Sequence, residues 1–339
     1  MKIAVLAPIA WRTPPESYGP WEQVASTITE GLVTIGHEVS LFATGDSITA
    51  AKLESVCALP YEIDKSNDPK VLECLHISNL MEQADDFDII HNHFDFLPLT
   101  YSRLVRTPMI TTIHGFSSPK IIPVYKKYDG TTAYISISNA DRNFELTYLD
   151  TIYHGVDPDL FTFQQHKEGY LLYFGRIHPE KGLHTAIEIA EKSKLPLMIA
   201  GLIQDESYFK TVIRPKINGV SVQYLGNLGK EERDILLGGA KALLHPIYFE
   251  EPFGLSVLEA MMCGTPVIAF ARGSMPELIA HGVSGFLVNT SAEAVTAVKN
   301  LDQLNPAECR AHAERNFSIE KMISSYESAY TKVIQTNSN

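Results

Sequence analysis

The feature that most constrains this chain is a rhythm. Short apolar runs alternate with amphipathic stretches almost from end to end, and the series stops once and restarts. Such alternation is how a parallel sheet with crossover helices is written, because a strand covered on both faces is apolar throughout while its helix shows one apolar face. The first series predicts strands near 2–7, 39–43, 87–91, 109–113 and 133–137. The stretch from Pro20 to Ile35 reads as a helix that opens on Pro and closes on Gly36. The second series predicts strands near 170–174, 197–200, 220–225, 242–245, 266–270 and 286–288, with helices over 180–193 and 254–263. Residues 157–169 between them are polar and turn-rich, so the hinge is expected there. The fold class is therefore α/β, with two doubly wound units at 1–156 and 157–317, and 339 residues at roughly 150 per domain agree. In the remaining 318–339, Ile319, Met322, Ile323, Tyr326, Ala329, Tyr330 and Val333 fall on one helical face, so that helix is expected to pack.

Charge removes one class of partner. The formal net charge is −12, and a surface of that sign repels nucleic acid, whose affinity rests on neutralised phosphates. The imbalance is uneven: residues 1–155 hold 11 basic and 19 acidic side chains, the rest 17 and 21, so a small anion would meet less repulsion in the second half. One local reversal occurs at Arg103, Arg106, Lys120, Lys126 and Lys127, five bases with no acid among them. That cluster reads first as a solvated basic face, with an anionic acceptor or a membrane surface as the alternative. Cys57, Cys74, Cys263 and Cys309 form no C-x-x-C pair, which suggests neither a zinc knuckle nor a disulfide framework and fits a reducing cytoplasm. The apolar start is too short for a signal peptide, and no run approaches the roughly 18 residues of a membrane span. The expected location is cytoplasmic, with peripheral contact at an inner membrane face left open.

In open parallel sheets ligands sit beyond the carboxyl ends of strands. The loop after the first strand delivers Tyr18-Gly19-Pro20 to a helix start, where free amides favour an anion, although a long loop also needs a glycine for its turn. The strand 109–113 ends in His114-Gly115, where the histidine is either a ligand contact or a structural group. Gly175-Arg176-Ile177-His178-Pro179-Glu180-Lys181-Gly182 offers an Arg fork and a Lys point charge that suit a pyrophosphate, or simply two solvated cations. Glu250-Glu251-Pro252-Phe253-Gly254-Leu255-Ser256-Val257-Leu258-Glu259 opens a helix with carboxylates that either complement its dipole or grip vicinal hydroxyls in a fork. Asp86, Asp88, His91 and His93 invite a metal reading, but the acids precede the strand and the histidines are expected to follow it, too far apart for one ion.

The fourth block is the most specific. Glu251 and Glu259, spaced E-x7-E inside Glu-Pro-Phe-Gly-Leu-Ser-Val-Leu-Glu-Ala-Met-Met-Cys-Gly-Thr-Pro-Val, resemble the signature of the retaining GT-B glycosyltransferases of family GT4. Further blocks resemble that family in its order: Thr112-Ile113-His114-Gly115, His154-Gly155-Val156-Asp157, Gly175-Arg176 with Lys181-Gly182, Gly273-Ser274-Met275-Pro276-Glu277, and Gly282-Val283-Ser284-Gly285-Phe286. The resemblance spans nearly the whole chain. It implies a GT-B fold, two Rossmann-like domains facing a cleft, with donor nucleotide-sugar on the second, acceptor on the first, and the closing helix crossing back. It further implies that Arg176 and Lys181 bind the diphosphate, Glu259 the ribose diol, and Glu251 the donor sugar. Backbone around Phe253, Gly254, Leu255 and Ser256 would assist, His114 would contact the sugar near its 6-hydroxyl, and Asn227 and Leu228 would hold the base. A single amide, that of Gly19, would face the phosphates.

The implied reaction is metal-independent transfer of a hexosyl unit with retained configuration. The donor is expected to be a UDP-sugar such as UDP-glucose, and the acceptor a saccharide or lipid-linked saccharide of polysaccharide biosynthesis; no cofactor is expected. Three departures from the family pattern stand out: Gly19-Pro20 for Gly-Gly, His154 for Asn, and Glu251-Pro252-Phe253-Gly254 for E-G-F-G. The competing readings are a nucleotide-sugar epimerase of the same architecture, or a non-catalytic sugar-binding protein, which would lack the Arg176/Lys181 pair. A dehydrogenase is disfavoured because no G-x-G-x-x-G follows the first strand.

Overall fold

The computed structural model describes residues 1–16, 19–116 and 118–337. The chain divides into two compact units, Met1–Gly155 with Ile319–Asn339, and Val156–Ser318. In the first, β1 (Lys2–Leu6), β2 (Glu38–Phe42), β3 (Lys52–Glu54), β4 (Ile89–Asn92), β5 (Met109–Ile113), β6 (Ala133–Ser136) and β7 (Tyr148–Thr151) form one sheet in the order β3-β2-β1-β4-β5-β6-β7. In the second, β8 (Leu171–Phe174), β9 (Leu197–Ala200), β10 (Val222–Tyr224), β11 (Ala242–His245), β12 (Val267–Phe270) and β13 (Gly285–Val288) are ordered β10-β9-β8-β11-β12-β13. Every pairing is parallel, as the apolar runs require. The order reverses between β1 and β4 and between β8 and β11, which places a switch point in each unit.

Two strands lie outside the expected set. β3 (Lys-Leu-Glu) and β7 (Tyr-Leu-Asp-Thr) are edge strands with exposed residues, so neither carries an apolar run. The strand near residue 90 also differs: β4 runs Ile89–Asn92, so His91 lies inside the strand rather than after it, while His93 follows it. The helix Pro20–Thr34 closes at Gly36, whose φ of 92° is the left-handed turn the sequence anticipated.

The last helix, Ile319–Asn337, belongs to the first unit and buries Met322, Ile323, Tyr326, Ala329, Tyr330 and Val333. It seats against the helix Pro20–Thr34 at Gly31, where a Cβ would lie 2.5 Å from Cγ1 of Ile323. Each large apolar side chain buried this way contributes about 1.5–3 kcal/mol, enough to fix the helix in place.

Residues 157–169, the stretch read as a hinge, are fastened to the second unit. The amide of Gln164 donates to Cys263 O at 3.2 Å and that of Glu168 to Gly239 O at 2.7 Å. Lys167 Nζ donates to Gly238 O, Cys263 O and Thr265 Oγ1 at 2.9, 3.1 and 2.9 Å, caught between carbonyls that helix ends leave without partners.

Candidate functional site

At the switch point of the second unit the loops after β8 and β11 are pressed together. Gly182 makes this possible: at φ 71° a Cβ would sit 1.9 Å from Pro246 O, so only glycine fits. The approach brings Lys181 to Glu251, Nζ to Oε2 at 2.5 Å, with side chains only 12% and 11% exposed. Lys181 also stands over the Phe249 ring, 4.5 Å from its centroid. Nε2 of His245, the last residue of β11, lies 3.4 Å from the same carboxylate oxygen. Burial by itself pushes the Glu251 carboxyl up, but Lys181 and His245 overcome it and hold the group at about 2. Burial pushes His245 the other way, below the ordinary histidine range, against the pull of Glu251.

Gly254 opens the helix Leu255–Met262 in the left-handed region at φ 96°. Phe253 is buried beneath it, with its carbonyl accepting from Ser274 Oγ at 2.6 Å. Leu255 and Ser256 are half-buried in the first turn, where backbone amides lack intrahelical partners. Glu259 follows one turn on; burial raises its carboxyl, and the Arg233 guanidinium, Nη1 at 3.5 Å, opposes this. Arg176 follows β8 directly, where its guanidinium meets Glu180 at 3.5 Å and donates to Gln204. Asn227 is exposed and Leu228 half-buried in the loop after β10.

The structure thus joins Lys181 and Glu251, which the resemblance had given separate tasks, turns Glu180 of the same block towards Arg176, and supplies partners outside the quoted blocks: Arg233, Gln204 and His245. Each cation of the site faces an acid. Arg233 lies in the helix Lys230–Gly239, whose sequence shows only ordinary surface charge. His245 was visible as the polar end of an apolar strand, a signal that could have been used.

In the first unit His114 follows β5 and is buried, stacked on Trp21 at 5.4 Å with 21° between the rings. Its Nε2 lies 2.9 Å from Nδ1 of His93, and the Nε2 of His93 lies 3.3 Å from Nδ1 of His91. His91 meets the Tyr330 hydroxyl through Nδ1 at 2.7 Å and Thr112 Oγ1 through Nε2 at 2.8 Å. The His154 ring is 5.5 Å from that of His114. Burial lowers all four histidines below their ordinary range, His154 to about 3, so the imidazoles are neutral at pH 7. The acids of the rejected metal reading point elsewhere, Asp88 accepting from the Lys2 amide at 2.7 Å. The i, i+2 spacing of His91 and His93 in a strand was the available sign that both share one face.

Gly19 caps the helix Pro20–Thr34 at φ 150°, beside the buried carboxyl of Glu22, which accepts from the Trp11 amide at 3.3 Å. Burial lifts Glu22 to about 7, so an anion arriving at Gly19 meets an acid already in place. Tyr18, quoted with Gly19, lies outside the described residues. In the basic cluster Lys126 pairs with Glu145 at 2.6 Å, and Arg103 and Lys127 both stand over the Tyr128 ring. Among the described residues no helix is long and apolar enough to cross a membrane.

Comparison with known proteins covers both units. Residues 161–315 match the family described as Glycosyl transferases group 1, and residues 22–160 match Glycosyltransferase Family 4. An uncharacterized glycosyltransferase of Methanocaldococcus jannaschii is 24% identical over 85% of this chain and 85% of its own length. Among solved structures, a glycosyltransferase involved in avilamycin A biosynthesis superposes with a TM-score of 0.73 at 23% identity, over 99% of this chain and 98% of that one. A protein of Anabaena solved in complex with UDP and glucose gives 0.74 at 19% identity, over 98% and 100%. These likenesses establish the GT-B fold.

Proposed function

The chain belongs to the GT-B glycosyltransferases of group 1, and from that premise we propose that it moves a hexosyl unit from a UDP-sugar, UDP-glucose being our choice, to a saccharide hydroxyl with retention of configuration. The observation that carries the reading is the set of buried, charge-matched groups at the β8/β11 switch point. Arg176 and Lys181 meet the diphosphate, Glu259 accepts from the ribose diol, and Glu251 accepts from hydroxyls of the donor sugar. First-turn amides from Phe253 to Ser256 support the sugar and phosphate, Asn227 and Leu228 the base. On the other unit, His114 meets the sugar and Gly19 lends its one amide. The UDP held by the Anabaena structure supports the choice of base.

When the bond between C1 and the diphosphate oxygen breaks, negative charge grows on the leaving group. Cations already in position stabilise that state more than the ground state. The acceptor hydroxyl attacks C1 from the face the diphosphate leaves, and its proton passes to the departing phosphate oxygen. All three acids of the site face cations, Glu180 Arg176, Glu251 Lys181 and Glu259 Arg233, so we assign neutralisation of the leaving group to side chains rather than to a metal. Turnover of an α-linked UDP-sugar in EDTA, with the product's anomeric configuration read by NMR, tests this. An α-product supports it; a β-product, or turnover abolished by EDTA, refutes it.

The acceptor is proposed to be lipid-linked. Leu104 is 77% and Phe144 96% exposed beside the basic residues Arg103 and Lys126, a pairing of apolar and cationic groups that suits an anionic lipid surface. Co-sedimentation with vesicles containing phosphatidylglycerol is expected; equal recovery with neutral vesicles refutes it.

A further inference from the structure

The charged groups at the β8/β11 switch point balance one another before any ligand arrives. Arg176 faces Glu180, Lys181 faces Glu251 and Arg233 faces Glu259, three cations against three acids. The diphosphate of a UDP-sugar brings two further negative charges to this balanced set. Where side chains are as buried as Lys181 and Glu251, such an excess is costly unless a positive charge arrives with it.

His245 is placed to supply that charge. It ends β11 with its side chain 7% exposed, and among the described residues its Nε2 makes no hydrogen bond although it lies 3.4 Å from Glu251 Oε2. That oxygen is already held by Lys181 Nζ at 2.5 Å. Two charges act on the imidazole: Glu251 favours a proton on it and Lys181 opposes one, while burial keeps it neutral. Its sheet neighbour in β12 is Ala269, which carries no charge, and Tyr173 in β8, which also feels Glu251, is kept a neutral phenol by burial. If Lys181 turns to a diphosphate, the opposing charge and the occupant of Oε2 leave together, and the buried carboxylate needs a new partner.

We propose that His245 is a positioning residue for Glu251: as the donor diphosphate draws Lys181 away, the imidazole takes one proton from solvent and holds the carboxylate in the ionised form that accepts hydrogens from the donor sugar. Both ring nitrogens then carry hydrogen, and Nε2–H donates to Oε2. The inference rests on the assignment of Lys181 to the diphosphate made above. The proton settles on the imidazole rather than on the carboxyl because an ordinary imidazole is the stronger base by about a hundredfold. His178 is the competing base, with Nδ1 3.4 Å from Glu180, but its side chain is 34% exposed and water screens it from the arriving charge.

The test is calorimetry of UDP-glucose binding to the whole chain at pH 7 in buffers of different ionisation enthalpy, which counts the protons taken up. UDP-glucose is the probe because its diphosphate ester has no group that titrates near pH 7. The wild type is expected to take up roughly half a proton or more, and His245→Gln close to none. The proton is bound in the complex and absent from the free protein, so affinity should rise as pH falls from about 8 to about 6, by up to about tenfold per pH unit, and this dependence should flatten in the variant. A second readout needs no binding by the variant: in 15N-histidine spectra at pH 7 the His245 resonance, identified by its loss in His245→Gln, should change from a neutral to an imidazolium pattern when UDP-glucose is added to the wild type. Binding without proton uptake, uptake unchanged in His245→Gln, or a His245 that stays neutral in the complex overturns the inference and leaves the reading of the site standing. Failure of UDP-glucose to bind the wild type overturns both.

Discussion

Replacing Lys181 by Met removes the ammonium and leaves Glu251 buried. At 2.5 Å and an effective dielectric near 20, the pair's attraction is about 7 kcal/mol, set against several kcal/mol of desolvation for each ion. The net shows in the carboxyl, which moves from 4.5 to about 2 and corresponds to about 3 kcal/mol of stability. The folded value lies below the unfolded one, so this stability is present above pH 4.5 and is lost as pH falls from 4.5 towards 2. Lys181→Met should therefore cost about 3–5 kcal/mol at pH 7, the range for breaking a buried pair, and the cost should shrink as pH approaches 3. Adding Glu251→Gln to that variant removes the orphaned charge and should recover more than about 1 kcal/mol. Urea unfolding of the three proteins between pH 3.5 and 7 measures these differences. A Lys181→Met cost below about 1 kcal/mol, or one independent of pH, would refute the reasoning.

Other outcomes follow from the same geometry. Glu259→Gln keeps the shape but weakens a charge-assisted contact, and should lower UDP affinity on the order of 10- to 100-fold by calorimetry while leaving turnover at saturating donor nearly unchanged. Gly182→Ala drives a Cβ to 1.9 Å from Pro246 O and should abolish UDP binding while the secondary structure, read by circular dichroism, persists. Lys167→Met leaves three acceptors facing residues 157–169 without their donor and should lower stability by about 1–3 kcal/mol, read by urea unfolding.

The sequence carried the fold wherever burial is two-sided. Ile3, Ala4, Val5 and Leu6 in β1, and Leu243 and Leu244 in β11, are buried and read as strands without ambiguity. Lys52–Glu54 and Tyr148–Thr151 stayed hidden because edge strands face solvent and keep polar residues. The loop cations and the E-x7-E acids were legible because each follows an apolar run. Their pairing was not: Lys181 and Glu251 are 70 residues apart and meet because β8 and β11 are sheet neighbours, a fact of strand order. His91 and His93 were noticed, but His91 was read as following β4 when it lies inside it, and the link of the two to His114 and to Tyr330, on a helix 239 residues from His91, was not legible.

The central claim is that the charged groups at the β8/β11 switch point hold the diphosphate and ribose of a nucleotide-sugar. A panel of nucleotide-sugars tested by thermal shift in EDTA addresses it most directly. The account predicts that UDP-glucose raises the melting temperature of the wild type and fails to do so for Arg176→Ala and Glu259→Ala. If no nucleotide-sugar stabilises the wild type, or if both variants respond as it does, the account is contradicted.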